Sequence, residues 1–189
     1  MGYSLEQFCQ DTRETLSANP GHEGRDMTRG NLEKLLLDQD FLAATLGDDQ
    51  EPGVRTIYED PDLEFCVLAY IAGGDRTSPP HDHGASWAIY GQAGKHTDMK
   101  VYNRIGGASG AGEAKLEVTQ EFRLNPGQAG LFDVGEIHAI DHPKGASFVR
   151  VTGTDLNHVE RLRFDEEKGT AEVIEDQGAV FLVKVPGRF

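Results

Sequence analysis

From Val54 onward the hydrophobic period of this chain is two: apolar and polar residues alternate in short runs cut apart by Gly, Pro, Asp and Asn. The runs Arg55 to Tyr58, Leu63 to Ile71, Ser86 to Gln92, Lys100 to Arg104 and Ala114 to Leu124 read as strands. So do Ala129 to Val134, Ser147 to Thr152, Leu156 to Phe164 and Ala179 to Val185, with no helical segment between them. That many short strands in 189 residues can satisfy their edges only as a barrel or a sandwich. Gly106 to Gly112 reads as a hairpin tip, His96 as part of a hairpin turn, and Lys168-Gly169-Thr170 and Asp176-Gln177-Gly178 as later turns.

Before Val54 the period is 3.6. Leu5, Phe8, Cys9, Thr12 and Leu16 place a helix over residues 3–18, capped by Ser4 and stopped by Asn19-Pro20-Gly21. Leu32, Leu35, Leu36, Phe41, Leu42 and Leu46 place a second from Thr28 to Leu46, ended by Gly47. Two helices covering one side of a sheet are therefore expected, with residues 1–50 a helical segment and 51–189 the β-barrel of one structural domain. His22 falls in a Gly-rich loop without an evident role. Acidic residues outnumber basic ones 32 to 18, for a formal charge of −14, which disfavours nucleic acid or an anionic membrane as partner. Cys9 and Cys66 form no paired or metal-binding spacing, and neither a signal peptide nor a long apolar run is evident, so a cytoplasmic protein is expected. Whether it is a monomer or a homodimer is not fixed by the sequence.

Chemistry enters at Pro79-Pro80-His81-Asp82-His83-Gly84-Ala85-Ser86-Trp87. In an extended segment side chains two apart point the same way, so His81 and His83 can reach one metal. Two histidines on the wet face of a strand would look identical. A third candidate, His138, follows a turn, a strand and a second turn over Asn125 to Ile137. Three neutral nitrogen donors with open positions suit Fe(II), Zn, Co, Ni or Mn, and can serve an oxygenase, polarise a carbonyl or activate water. His142 and His158 are spare candidates whose bland reading is a surface or supporting role. Arg55 is a candidate clamp for a carboxylate, although pairing with Glu59 or Asp60 would explain it equally. Arg150 shares a strand face with Phe148 and Thr152, and if that face is interior its charge needs a carboxylate from protein or substrate. Trp87, Ile89, Tyr90, Tyr102 and Phe132 either wall the cavity or pack the sheets, and the hydroxyls of Tyr90 and Tyr102 need partners if buried.

These residues resemble the two-motif pattern of the cupin superfamily, whose fold is a double-stranded β-helix, or jelly-roll, barrel. The first motif is seen as His81-x-His83 followed by Gly91 and Gly94, and the second as Gly127-x5-Asp133-x-Gly135-x2-His138. Within that superfamily the chain is most similar to the cysteine dioxygenase family of thiol dioxygenases. Arg55, Phe65, Gly73-Gly74, His81-Asp82-His83, Trp87 and Gly153-Thr154-Asp155-Leu156 fall where that family has comparable residues. The resemblance covers roughly residues 54–164. It implies ferrous iron on His81, His83 and His138, a thiolate substrate beside dioxygen, a sulfinate product, and Arg55 on the substrate carboxylate. Trp87, Asp133 and His142 are expected around the ligands.

The departures are specific. Trp87 and Ala88 stand where general cupins supply a glutamate ligand, which leaves an all-histidine set, and no cysteine lies near Ala88 to form the family's crosslink to tyrosine. Phe148-x-Arg150-x-Thr152 replaces the family's Ser-x-His-x-Tyr triad, and Asp133 stands where proline is usual. Three expectations follow: a dioxygenase acting on a small thiol-bearing carboxylate, a cupin enzyme cleaving, isomerising or eliminating from a thiol-free acid, or a non-enzymatic binding cupin.

Overall fold

The computed structural model describes residues 2–174. Three helices come first: α1 (Leu5–Ala18), α2 (His22–Leu35) and α3 (Gln39–Leu46). The strands follow as β1 (Gly53–Glu59), β2 (Cys66–Ile71), β3 (Arg76–Thr77), β4 (Ala88–Gly94), β5 (Thr97–Gly106) and β6 (Gly112–Glu113). After them come β7 (Lys115–Leu124), β8 (Ala129–Phe132), β9 (Ile137–His142), β10 (Ser147–Thr152), β11 (Leu162–Asp165) and β12 (Thr170–Val173). One sheet has the order β1-β2-β10-β4-β8, a second β3-β9-β5-β7, and β11-β12-β6 forms a small third. From β2 the chain alternates between the two larger sheets through β5, turns at β7, and alternates back through β10. That winding is the double-stranded β-helix, and all its strand pairs are antiparallel.

The helical segment departs from expectation because Asp38 restarts it. Its carboxylate accepts the Phe41 N–H at 2.8 Å and caps α3, while the Leu37 and Asp38 amides bond back to Lys34 and Leu35 and close α2. The predicted helix from Thr28 to Leu46 is therefore two helices, making three in all. The start of α2 was illegible because His22-Glu23-Gly24-Arg25-Asp26 carries no apolar period. His22 opens that helix rather than sitting in a loop, with Nδ1 2.5 Å from the Asp133 carboxylate.

Both faces of the first sheet are covered. Trp87, Ile89, Val149 and Val151 pack outward with Phe8, Leu32 and Leu35 of the helices, while Ala88, Tyr90 and Phe148 pack inward with Met99, Phe132 and Ile140. Gly91 is where α2 comes closest: a Cβ there would stand 2.7 Å from Leu32 Cδ2. Among the strands, β9 was missed because its inward positions hold His138 and His142, which hide the apolar alternation. The run Leu156 to Phe164 is not one strand either: Leu156–His158 forms a 3-10 turn capped by Asp155, and only Leu162–Asp165 is extended. The run Ala179 to Val185 and the turn at Asp176 lie outside the described residues. Among the described residues no helix is long and apolar enough to cross a membrane.

Asp60 ties α1 to the sheet. Its buried carboxylate accepts the Asp62 and Leu63 amides at 3.0 and 2.8 Å, the Tyr58 hydroxyl and Arg13 Nε. Burial alone would raise its pKa, but the backbone donors, Tyr58 and Arg13 outweigh it and hold the carboxyl below its ordinary value. Asp60→Ala should cost about 1–3 kcal/mol at neutral pH by orphaning buried donors. A depressed pKa stabilises above the unfolded value of about 4 and ceases to do so as pH falls through the folded one, so the difference should shrink on acidification. Urea unfolding of both proteins from pH 7 to pH 3 measures it. Burial also pushes the free thiols up, Cys9 to about 12 and Cys66 to about 11, so a disulfide reagent at pH 8 should leave both unmodified until the protein unfolds.

Candidate metal centre and cavity

His81 and His138 face each other across an isolated antiparallel bridge, each amide donating to the other's carbonyl at 2.9 Å. Beyond His81 the chain does not continue extended, as the sequence suggested. Ser86 N–H reaches the His83 carbonyl at 3.0 Å and Gly84 takes φ +59°, so His83 sits on a turn and β4 starts only at Ala88. A Cβ on Gly84 would also lie 2.0 Å from the Glu160 carbonyl oxygen, which makes glycine the fitting residue there. Asp82 fixes the turn: its buried carboxylate accepts the Gly84 and Leu162 amides at 3.0 and 2.9 Å.

The three rings converge. Centroids are 4.6 Å apart for His81 and His138, 4.8 Å for His83 and His138, and 5.6 Å for His81 and His83, and one nitrogen from each lies within 4.8 Å of the others. His81 Nδ1 is 3.0 Å from the Pro79 carbonyl, an arrangement that orients the ring and leaves Nε2 as the ligand atom. His83 Nδ1 and both nitrogens of His138 are buried without a hydrogen-bond partner. Unpaired buried imidazole nitrogens cost free energy, and a metal ion is the partner this donor set fits. Burial lowers the pKa of all three, strongly for His83 and His138, with further lowering from neighbouring histidines and Arg150. They are therefore neutral, with lone pairs available. Phe132 stacks on His138 at 4.0 Å, and the Tyr90 hydroxyl lies 3.4 Å from His83 Nε2.

A cavity of about 380 Å³ opens beside His81. Its walls include Cys66, Leu68 and Tyr70 of β2, Phe148, Arg150 and Thr152 of β10, and Tyr90 of β4. Arg150 thus occupies the interior face that its spacing allowed, and among the described residues it forms no ion pair. A larger hollow of about 690 Å³ lies on the other side of the second sheet, lined by outward residues such as Lys100, Tyr102 and Ala139. No imidazole reaches it, so it is not the metal site.

Several candidate residues lie elsewhere. Arg55 is on the helix-facing side of β1: Val54 and Thr56 line the cavity, whereas its guanidinium donates to the Thr45 carbonyl of α3. Strand alternation removes it from the position that the resemblance implied. Tyr102 turns outward into a cluster with Phe164, its hydroxyl 3.4 Å from Glu166, because the inward neighbour on β5 is Val101. Trp87 packs in the helix-side core, and Asp133 binds Arg25 at 2.7 Å as well as His22, so it clamps α2 rather than a metal ligand. His142 shares the inner face of β9 with His138 but lies four residues along, beside Tyr70. His158 is exposed and pairs with Asp155 at 3.3 Å. The sequence reading missed Asp82, Tyr70, Arg76 and Arg161. Only Tyr70 left a trace, in its alternation with Leu68 and Cys66.

No family model matches the chain, and no curated protein matches it. Solved structures do. A conserved protein with a double-stranded β-helix domain from Klebsiella pneumoniae is 16% identical, with TM-score 0.41, over 61% of this chain and 81% of that one. A hydroquinone 1,2-dioxygenase from Sphingomonas, with 4-hydroxybenzoate bound, is 12% identical at TM-score 0.42, over 57% and 68%. A cupin-2 domain protein from Shewanella frigidimarina is 12% identical at TM-score 0.39, over 55% and 81%. Likeness at this level bears on the fold alone, and the strand order establishes independently that the chain is a double-stranded β-helix.

Proposed function

We propose that this chain is a metal-dependent dioxygenase that holds ferrous iron on His81, His83 and His138 and oxidises a small thiol-bearing carboxylate to its sulfinate. The observation that carries the reading is the convergence of three neutral imidazoles, His83 and His138 buried and His81 half-buried, at a cavity whose wall presents Arg150 without an ion-pair partner among the described residues. His81, His83 and His138 would hold the iron, which would supply the one-electron chemistry that lets dioxygen react with the thiolate sulfur. Arg150 receives the substrate carboxylate through its guanidinium fork, in place of Arg55. Tyr90, whose hydroxyl reaches His83 Nε2, offers a hydrogen bond at the cavity wall, and Leu68, Ile140 and Phe148 give that wall an apolar part. A volume of about 380 Å³ suits a small molecule. In the overall reaction both atoms of dioxygen pass to the thiolate sulfur, so no external reductant is consumed.

A second reading, oxygenation of a thiol-free acid, is favoured by one observation: Arg55 faces α3, and Phe148, Arg150 and Thr152 occupy the triad positions. Oxygen uptake by anaerobically iron-loaded protein against cysteine, 3-mercaptopropionate and cysteamine decides between them. Sulfinate formation supports the thiol reading; no uptake with any thiol, alongside turnover of a thiol-free acid, selects the second.

His138→Ala should lower bound iron severalfold or more while the circular dichroism melt stays cooperative; wild-type metal content in that variant would reject the ligand assignment. Removing a charged hydrogen-bonding partner costs about 1.5–3 kcal/mol, or about ten- to a hundredfold. Arg150→Gln should therefore raise KM by that factor for 3-mercaptopropionate and leave cysteamine, which has no carboxylate, nearly unaffected.

A further inference from the structure

The metal end does not account for the whole cavity. Its wall carries Arg76, Arg150, Arg161 and Arg163 with the carboxylates Glu59 and Asp155, in a chain whose overall formal charge is −14, and Arg163 is paired with Glu172 at 3.3 Å. Asp155 is committed to capping the 3-10 turn and to His158, and Glu59 is opposite Cys66 in the β1–β2 register. Arg76 lies at the other extremity. It is opposite His142 in the β3–β9 register, four residues from His138, or about 13 Å at strand rise. Among the described residues it has no ion pair. The acids nearest in sequence are occupied: Asp75 accepts the Lys144 amide and Asp141 accepts the Thr77 hydroxyl.

A second polar side chain lines the cavity with Arg76. Tyr70 lines the same cavity, its ring stacked on Phe148 at 4.4 Å and its hydroxyl 3.3 Å from Nε2 of the buried His142. Stacking fixes where the hydroxyl can go. The apolar part of the cavity wall includes Leu68, opposite Arg150, Phe148, opposite Tyr70, and Ile140. Arg150 stands two residues from Phe148 on β10, about 7 Å along the strand from the Tyr70 level.

We infer that the cavity has a second anion-binding pole, formed by Arg76 and Tyr70, and that it takes a two-ended dianion: one carboxylate at Arg150, an apolar chain of several carbons, and a second carboxylate at Arg76. The Arg150 end rests on the function proposed above. The Arg76 end stands on its own geometry. A monoacid fills only half of the charge pattern and leaves the Arg76 guanidinium without a counterion.

Calorimetric binding of matched pairs to the purified protein tests this: succinate with butanoate, adipate with hexanoate, and suberate with octanoate. At one chain length or more the diacid should bind at least tenfold more tightly than its monoacid, and Arg76→Gln should bring that ratio to within twofold of one. Because Arg76 is exposed, the variant should melt as the wild type does. A ratio near one at every length, an undiminished ratio in the variant, or no detectable binding of any diacid would overturn the proposal. Loss of the oxygen-consuming activity would sink the function above while leaving the ratio untouched.

Discussion

The two backbone hydrogen bonds between His81 and His138 hold the site together. They join the loop that follows β3 to the start of β9, segments nearly sixty residues apart, at a point where neither has a long strand to keep it in place. Once that bridge is set, the side chains of both residues project to the same inner side, and the turn at Gly84 needs only to bring His83 round. Asp82 makes that turn cheap to hold by satisfying two amides that would otherwise be orphaned beneath β11. The metal-binding geometry is thus a property of backbone pairing more than of the histidines themselves.

The same pairing decides which arginine serves the cavity. β1 and β10 both flank β2, and each carries one arginine in an otherwise alternating run. A shift of one residue in either would exchange the faces. As the strands pair, Val54 and Thr56 look inward from β1 and Arg55 meets α3, while Phe148, Arg150 and Thr152 look inward from β10. Resemblance to thiol dioxygenases pointed to Arg55 because it compared positions along the chain, and position does not carry facing.

This bounds what the sequence could disclose. The barrel was legible because the period of two persists across so many turn-bounded runs, and the three converging histidines were legible because each sits beside an extended segment. Facing was not legible in the first sheet, because helices cover one side of it and the barrel interior fills the other. The burial of β4 and β10 is accordingly almost uninterrupted, so apolar residues mark neither side as the inside. Tyr102 follows a register irregularity between Val101 and Tyr102 that composition does not reveal. Arg76 and Arg161 reach the cavity from a two-residue strand and a loop, where no periodicity exists to read.

The charge of the site follows from the ligand set. Among the described residues no carboxylate joins His81, His83 and His138 in their cluster, so no protein charge there would offset a metal's. A divalent ion on three neutral imidazoles would keep its full charge, and Arg150 and Arg161 lie close enough to depress the imidazole pKa values by their own positive field. In a cavity partly closed to water such a concentration of positive charge is unfavourable until an anion enters. On the function proposed above, metal and anionic substrate would favour each other's binding by linkage: each would lower the electrostatic cost that the other meets. An all-histidine cluster beside an interior arginine would then leave the neutralising charge to the substrate.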